Sequence, residues 1–373
     1  MTGTGKGGRR GRGSATIQDV ARAAGVSAMT VSRVINGEKN VREATRAAVR
    51  EAVDRLRYSP NMAARSLAAG EATHIGLLYA NPSAAYLSQL LVGALEGARR
   101  AGCHLLLEAC ESEKAEEQAE AARRFSSTEI EGVILPPPLS ESRVVLAELT
   151  AMGVPVVTIA MGQPADGSLN VRIDDAAAAA EMTRHLLDLG HRRVGFIKGH
   201  PNHTASEERL QGFAAALREA GLDPADAPVE QGYFTFRSGL LAAERLLARH
   251  EPPTAIFASN DDMAAAAISV AHRRGLAVPG DLSVVGFDDT APATTVWPEL
   301  TTVKQPIAAM AEAALDLLLA ELRGGRAGGA SGHAERVLEH AMVVRESAGP
   351  PRAGLRADAR SAPRPRSAVK AAL

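Results

Sequence analysis

Cysteine, aromatic residues and long apolar runs are all scarce in this sequence of 373 residues. The two cysteines, Cys103 and Cys110, exclude a disulfide framework and a cysteine-based zinc finger, and they are typical of a reducing compartment. No apolar run approaches the roughly 18 residues that a spanning helix needs, which argues against a membrane bundle. The amino-terminal stretch lacks the apolar segment of a secretory signal. We therefore expect a cytoplasmic protein.

Charge is distributed unevenly along the chain. The formal net charge is −1, yet residues 1–70 hold 13 Lys+Arg against 5 Asp+Glu, and the remaining residues hold 29 against 38. A basic segment before a long acidic body predicts a separate head that binds a polyanion such as nucleic acid. The alternative is a solvated basic tail. That alternative suits residues 1–14, which are mostly Gly, Arg and Lys and have nothing to bury.

The pattern after residue 14 predicts three short helices. Thr16 followed by Asp19 is typical of a helix start, Gly25 can end that helix, and Ser27 can cap the next. The second helix is expected from Ala28 to about residue 36, and a third over about 42–56. Two helices joined by a three-residue turn form a helix-turn-helix, whose second helix enters the major groove of DNA. A short helical hairpin without DNA binding gives the same spacing.

The polar side chains of the second helix favour DNA binding. Arg33 has the fork that pairs with a guanine edge, and Ala28 and Met29 offer apolar contact to a thymine methyl group. Short hydrogen-bonding side chains of the kind that contact phosphates are present as well, at Thr30, Ser32 and Asn36.

Residues 16–67 closely resemble the head of the lactose/galactose repressor family of bacterial transcription regulators. The motifs are DVA..AGVS..TVSRVIN, TR..V and Y.PN..AR.L. The resemblance implies that Ala28, Met29 and Arg33 read bases, and that phosphates are held by Thr30, Ser32, Asn36 and Tyr58. It also implies a hinge helix from Asn61, with Ala64 in the minor groove and Leu67 wedged into a base step. Arg42 departs from the family, which usually has a small capping residue there.

From His74 onward, apolar runs alternate with amphipathic stretches. Strands are expected at 74–80, 105–107, 132–135, 155–159, 171–173, 194–198, 255–258 and 283–287. Helical stretches separate most of them, and a long helix at 307–322 is expected to return to the first half. Such alternation predicts two doubly wound α/β subdomains with parallel sheets. Two such halves predict a ligand cleft between them at the carboxyl ends of the strands.

Motifs in this body resemble the family's periplasmic-binding-protein-like effector domain. They are LGHRRVGFI, RLQGF, ASNDDMA, DLSVVGFDD and LTTVKQP, so that the full resemblance covers about residues 16–346. It implies that Arg209, Asn260 and Asp288 bind sugar hydroxyls and that Phe234 stacks on the sugar. Tyr86, Gln305 and Ile307 match other pocket positions. Ala160 and Ala205 stand where some members carry Asp and Ser, so the resemblance does not identify the effector.

The acidic residues and histidines in and beside these motifs also have structural explanations. Asp261 and Asp262 can simply cap a helix, with Asp262 the favoured cap, and Asp288 and Asp289 can bind loop amides. Asp261 with Asp288 suits a hydrolase, but no nucleophile elbow or metal cluster accompanies them. His185 and His191 lack a third ligand, which favours a structural role. We expect no catalytic residue, no metal and no cofactor.

The sequence thus predicts a transcription regulator, and most simply a repressor. It is expected to be a homodimer that binds palindromic operator DNA under the control of a small effector, which we expect to be a carbohydrate. The rival functions are a sugar-binding protein and an enzyme that uses the cleft. The predicted organisation is a disordered basic tail (1–14), a helix-turn-helix domain (15–60), a hinge and linker (61–72), a two-lobed effector and dimerisation domain (73–346) and a disordered tail (347–373). Whether the ligand releases or promotes DNA binding stays open.

Overall fold

The structure is a computed structural model, and it describes residues 17–35, 41–56, 73–110, 112–162, 168–326 and 334–352. The chain divides into two compact units, Met1–Glu71 and Ala72–Leu373, which we call the head and the body. Within the described ranges no helix is both long enough and apolar enough to cross a membrane.

The described residues of the head form three helices, α1 (Ile17–Ala24), α2 (Ala28–Ile35) and α3 (Glu43–Leu56). Apolar residues recur on one face of each helix, and these faces pack against one another. The buried core consists of Val20, Ala21, Val31, Val34, Val49 and Ala52.

The body contains two six-stranded sheets, each of which forms the centre of one lobe. The first lobe begins with β1 (His74–Tyr79), α4 (Ala84–Ala101), β2 (His104–Ala109), α5 (Ala115–Ser126), β3 (Gly132–Leu135), α6 (Arg143–Ala151), β4 (Val156–Ile159) and β5 (Leu169–Arg172). These strands are parallel: β1 lies between β2 and β3, and β4 lies between β3 and β5. The central strand β1 is fully buried at Ile75, Leu77 and Leu78, as expected for a sheet covered on both faces.

The second lobe follows along the chain. Its elements are α7 (Asp175–Asp188), β6 (Val194–Lys198), α8 (Thr204–Glu219), β7 (Val229–Gln231), α9 (Phe236–Leu247), β8 (Ala255–Ala258), α10 (Asp261–Arg273), β9 (Ser283–Asp288), α11 (Pro292–Thr295) and β10 (Thr301–Lys304). The order in this sheet is β12-β10-β9-β8-β6-β7, in which β12 (Ala341–Val343) is antiparallel to β10.

The chain then returns to the first lobe through α12 (Ile307–Arg326) and β11 (Ala334–Val337). Helix α12 packs closely on α4, since a Cβ atom at Gly93 would lie 2.1 Å from the carbonyl oxygen of Ala308. The described residues cross between the lobes three times, after β5, after β10 and after β11. The three crossing segments connect the lobes covalently and form a hinge that allows the lobes to reorient.

Most predicted elements of the body are present, with boundaries that differ by a few residues. Strands β7, β10, β11 and β12 were not predicted; all four are short, and β7, β11 and β12 are also largely exposed or only half-buried. The prediction of a disordered tail from Ser347 is wrong for residues 347–352. The Ser347 hydroxyl donates to the carbonyl of Val284 and accepts from the amide of Thr301, so this segment is part of the second lobe.

Candidate functional site

The turn between α1 and α2 follows the predicted helix-turn-helix chemistry. Gly25 has a φ of +67°, the left-handed conformation that glycine adopts without steric cost. The hydroxyl of Ser27 accepts a hydrogen bond of 3.1 Å from the amide of Thr30 and so caps α2. These two residues fix where the second helix begins, and therefore which of its side chains point outward.

Two of the three predicted base-reading residues lie on the exposed face of α2. Met29 is 66% exposed and Arg33 is exposed as well. Ala28 differs from the prediction, because it is half-buried against the head core and offers only part of its surface. Thr30 and Ser32 are half-buried, and the Thr30 hydroxyl lies 2.9 Å from that of Ser27.

Several predicted DNA contacts lie outside the described residues. They are Asn36, Tyr58, Asn61, Ala64 and Leu67, together with the whole predicted hinge helix.

The body has a small cavity of about 40 Å³ between its lobes. Twelve residues line it: Asn81, Ser83, Tyr86, Pro137, Ala160, His203, Ala205, Arg209, Phe234, Asn260, Asp288 and Gln305. Six of the seven predicted ligand residues are therefore brought together. The seventh, Ile307, is instead buried in the hydrophobic core at the start of α12.

Arg209 is the centre of the charged network around this cavity. Its Nε donates to Asp175 Oδ1 at 2.7 Å, and its Nη1 lies 3.8 Å from Asp288 Oδ1. The same Nη1 donates to the carbonyl of Ser259 at 2.5 Å, and the guanidinium lies 3.7 Å from the ring centroid of Phe287. Buried on α8, the arginine is thus held by two carboxylates, a carbonyl and an aromatic face.

Burial shifts the pKa of the acidic groups beside Arg209 upward. For both Asp175 and Asp288 the loss of solvation is the main cause of the raised pKa, and the nearby guanidinium offsets part of it. Asp261 raises the pKa of Asp288 further. His203 shifts in the opposite direction for the same reason: burial, with His200 and Arg209 nearby, lowers its pKa to about 3. His203 is therefore a neutral imidazole at physiological pH.

Two buried polar atoms at the cavity have no hydrogen-bond partner among the described residues. They are the hydroxyl oxygen of Tyr86 and Oε1 of Gln305. The amide nitrogen of the same glutamine donates to Asp288 Oδ1 at 2.6 Å, which fixes the side chain so that Oε1 is an acceptor. A buried polar group without a partner is costly, so a ligand that bonds these atoms gains free energy.

Asn260 caps α10, and Asp262 does not. Asn260 Oδ1 accepts from the amide of Met263 at 3.0 Å, and Asn260 Nδ2 donates to the carbonyl of Phe234 at 3.0 Å. The asparagine therefore joins the start of α10 to the loop that carries the aromatic ring. Asp262, favoured as the cap from sequence, instead accepts a 2.6 Å hydrogen bond from Ser83 of the first lobe.

Strained backbone is concentrated around the cavity. Ala160, Phe234 and Asp288 line it with positive φ values of 55°, 59° and 112°, and the adjacent Asp289 has a φ of 57°. L-residues rarely adopt this conformation, and such outliers cluster at ligand sites where the surrounding structure holds them in place. The strain therefore supports this cavity, among those of the described body, as the functional one.

The arrangement does not provide a pair of catalytic carboxylates. Asp261 Oδ1 accepts from the hydroxyl of Thr302 at 2.6 Å, and its Oδ2 accepts from the amide and hydroxyl of Thr290 at 2.7 and 3.0 Å. This carboxylate is completely buried behind the cavity rather than at its surface. The described residues contain no group of three His, Cys, Asp or Glu side chains that could hold a metal ion.

His191 has the structural role that was favoured for it. Its ring nitrogens lie 2.8 Å from the Thr254 hydroxyl, 3.1 Å from the Ser283 hydroxyl and 2.9 Å from the Gly349 carbonyl oxygen. The ring thereby holds residue 349 against β8 and β9.

Five residues at the site were not anticipated from sequence: Asn81, Ser83, Pro137, Asp175 and His203. Asp175 stands in an Asp-Asp pair before an alanine-rich helix, which indicates a cap, and Asp174 indeed caps α7. Nothing local reveals that the second carboxylate turns inward to an arginine 34 positions later.

Comparison with known proteins finds a matching family for the head and another for the body. Residues 16–61 match the family "bacterial regulatory proteins, lacI family", and residues 183–348 match the family "periplasmic binding protein-like domain". Among relatives, catabolite control protein A of Priestia megaterium is 35% identical over 305 residues, 81% of this chain and 91% of the relative. The HTH-type transcriptional repressor PurR of Photobacterium profundum is 34% identical over 338 residues, which are 89% and 98% of the two chains.

Solved structures of transcription regulators also superpose on this chain. A complex of the transcriptional regulator CelR with cellobiose superposes with a TM-score of 0.68 at 31% identity, covering 89% of this chain and 99% of the other. A lac repressor dimer bound to operator and the anti-inducer ONPF superposes with a TM-score of 0.67 at 28% identity, covering 90% and 99%.

Proposed function

The chain belongs to the lacI family of bacterial regulatory proteins and is a DNA-binding transcription regulator; from that premise we propose how its own residues read DNA and sense a ligand. The head binds operator DNA through α2, and the body closes on a hydroxyl-rich small molecule. The observation that carries the proposal is the buried Arg209 network at a strained cavity between two lobes that the chain crosses three times.

For DNA, we propose that Arg33 and Met29 read bases from the exposed face of α2 and that Ala28 adds a smaller apolar contact. We propose that Thr30 and Ser32, which lie one turn or less away on α2, contact phosphates. Asn36, Tyr58, Asn61, Ala64 and Leu67 keep the roles that the sequence predicts, with Leu67 as the wedge in the hinge. Palindromic operators follow from a homodimer, because two heads then read two half-sites.

For the effector, we propose that Tyr86, Arg209, Phe234, Asn260, Asp288 and Gln305 form the site. Phe234 offers an aromatic face, and Asp288 and Gln305 offer acceptors. Asn260 acts chiefly by holding the Phe234 loop, since both of its polar atoms are already bonded within the fold. The two missing polar contacts at Ala160 and Ala205 distinguish this pocket from those of relatives that have them.

We propose that closure of the two lobes couples the effector site to the DNA-binding residues of the head. Ser83 bonds Asp262, Gln89 donates to the Asp289 carbonyl at 3.1 Å, and the Thr204 amide donates to Glu141 at 2.8 Å, each across the cleft. A ligand whose affinity differs between the open and closed body shifts the population between them, and thereby the DNA affinity. The protein acts without chemistry on its ligand, in the cytoplasm and at the nucleoid, where its operator is.

The test has two stages. Selection from a random DNA library identifies the operator, and anisotropy then measures its affinity with and without sugars, at one fixed salt concentration. A thermal-shift screen finds the effector, because a ligand at 100 times its dissociation constant stabilises the fold by about 2.7 kcal/mol. Failure to select any sequence contradicts the DNA role. Turnover of a bound sugar contradicts the sensor role and supports a cleft enzyme.

A further inference from the structure

The cavity and its entrance contain more acidic than basic side chains. Among the described residues that line the inner cavity, Arg209 is the one lysine or arginine, and Asp288 is a carboxylate. Asp175 lies directly behind, bonded to the same arginine. The buried trio therefore carries two acidic groups for one guanidinium.

The cleft continues outward into a larger chamber of about 610 Å³ that shares Asn81 and His203 with the inner cavity. Its described lining contains Glu113 and Glu141 and no lysine or arginine. The ring of His200 lies 3.5 Å from Glu113 and is thus associated with an acidic partner. A negatively charged ligand meets carboxylates at the entrance as well as at the end of the cleft.

Arg209 is not available to offset that repulsion. Its guanidinium is held by Asp175 at 2.7 Å, by the Ser259 carbonyl and by the face of Phe287. Turning it toward a phosphate would break these contacts and leave Asp175 buried without its partner, which is strongly unfavourable. The neutral imidazole of His203 supplies no positive charge either.

The unsatisfied atoms indicate what the ligand supplies instead. Gln305 Oε1 is a pure acceptor in this geometry, and Asp288 accepts hydrogen bonds when ionised. Both therefore require donors, which hydroxyl and ammonium groups provide and an ionised phosphate or carboxylate does not; the Tyr86 hydroxyl, the other unsatisfied atom, can donate or accept and so does not discriminate.

We propose that the cleft selects hydroxyl-rich ligands without an anionic group, and that a protonated amine on such a ligand strengthens binding through Asp288. The inference rests on the proposed function and narrows its effector class: neutral sugars and amino sugars are accepted, and sugar phosphates and sugar acids are excluded.

The experiment uses matched sets built on glucose, galactose and mannose, each as the neutral sugar, the 2-amino sugar and the 6-phosphate. Thermal shift and calorimetry on the full chain give the relative affinities within each set. We expect the neutral or amino member of the best set to bind at least about tenfold more tightly than its phosphate, since like-charge contacts penalise the wrong partner. A phosphate that binds as tightly as its neutral counterpart overturns the inference and leaves the proposed function intact. If no member of any set binds, the hydroxyl-rich effector itself is contradicted, and this inference with it.

Two variants test the electrostatic origin of the selection. Asp288→Asn removes the inner carboxylate and should reduce the preference of the amino sugar over the neutral sugar to within about twofold. Glu113→Gln changes a side chain that is 81% exposed, so the fold is preserved, and it should raise the association rate of the phosphate at low salt. Asp226→Asn, an exposed change outside both chambers, is the matched control. An amino-sugar preference that persists in Asp288→Asn contradicts the assignment to that residue.

Discussion

Ser83 of the first lobe donates a 2.6 Å hydrogen bond to Asp262 of the second lobe, while it also caps α4 through the amide of Tyr86. One hydroxyl thus joins the start of a helix that lines the cavity to the opposite side of the cleft. The closed arrangement of the body therefore depends in part on a residue that also positions Tyr86.

We expect Ser83→Ala to weaken effector binding, because a hydrogen bond to a charged group contributes about 1.5–3 kcal/mol and this one exists only when the lobes are closed. Asp174→Ala is the matched control: that aspartate caps α7 through the amide of Ala177 and lines neither chamber. Calorimetry with the identified effector gives the dissociation constants. An equal loss in the two variants would mean that capping, not closure, explains the effect.

Arg33→Ala should lower operator affinity by about 1–3 kcal/mol and relax the preference at one base pair, as expected for loss of a bidentate base contact. Arg22→Ala, on the solvent-exposed side of α1, is the comparison. The measurement is anisotropy with operator and random DNA at one salt concentration. Equal losses on both DNAs would assign Arg33 to a phosphate.

Leu67→Ser should reduce both operator affinity and DNA bending, because a polar side chain does not replace an apolar wedge in an unstacked base step. Leu67→Ile retains apolar bulk and should keep most of the bend. Fluorescence energy transfer across a labelled operator measures the angle. If the serine variant bends DNA as strongly as the parent, the wedge assignment is wrong.

Arg209→Ala should destabilise the body by about 3–5 kcal/mol, because it leaves buried carboxylates without their cation. The double variant Arg209→Ala/Asp175→Asn should recover part of that loss, since one of those carboxylates is then neutral. Urea unfolding gives the free energies, and the double-mutant cycle isolates the pair. If the second substitution adds to the loss, Asp175 is not the partner that matters.

His203→Leu should change the pH dependence of stability. Because burial lowers the pKa of His203 to about 3, the folded protein binds its proton less readily than the unfolded chain does, whose histidines titrate near about 6.5. The parent therefore loses stability relative to the variant as pH falls from about 6.5, by up to about 1.4 kcal/mol per pH unit. Glu208, whose pKa burial raises to about 7, acts in the opposite direction, so the difference between variants is the quantity to measure.

The control for this prediction is the exposed His250, replaced by the same residue. Urea unfolding at pH 7 and pH 5.5 gives the required differences. A parent and a His203→Leu variant that lose stability in parallel over that range would show that His203 takes up its proton as readily in the folded protein as in the unfolded chain, which contradicts a lowered pKa.

Local patterns in the sequence predict the fold better than they predict the site. Gly25, Ser27 and the buried strand Val194–Lys198 follow from turn chemistry and apolar runs, and all are present as expected. The Arg209–Asp175 pair and the Ser83–Asp262 bond join residues 34 and 179 positions apart, and no local signal distinguishes such partners from helix caps. Ile307 matches a pocket position in the family resemblance, yet it lies in the hydrophobic core. An apolar side chain at the start of a packed helix is buried by that packing.

The pairing of β11 with β5 has a consequence for synthesis of the chain. The first lobe begins at His74, but its edge strand comes from residues 334–337 and its helix α12 from residues 307–326. A ribosome therefore releases most of the second lobe, through β10, before it releases α12 and β11, which complete the first. Domains that emerge whole can fold while translation continues. Here the first lobe has to wait until residues 307–337 have been made, and until then the side of its sheet that packs against α12 stays exposed. We expect that nascent apolar surface to be prone to aggregation until α12 covers it.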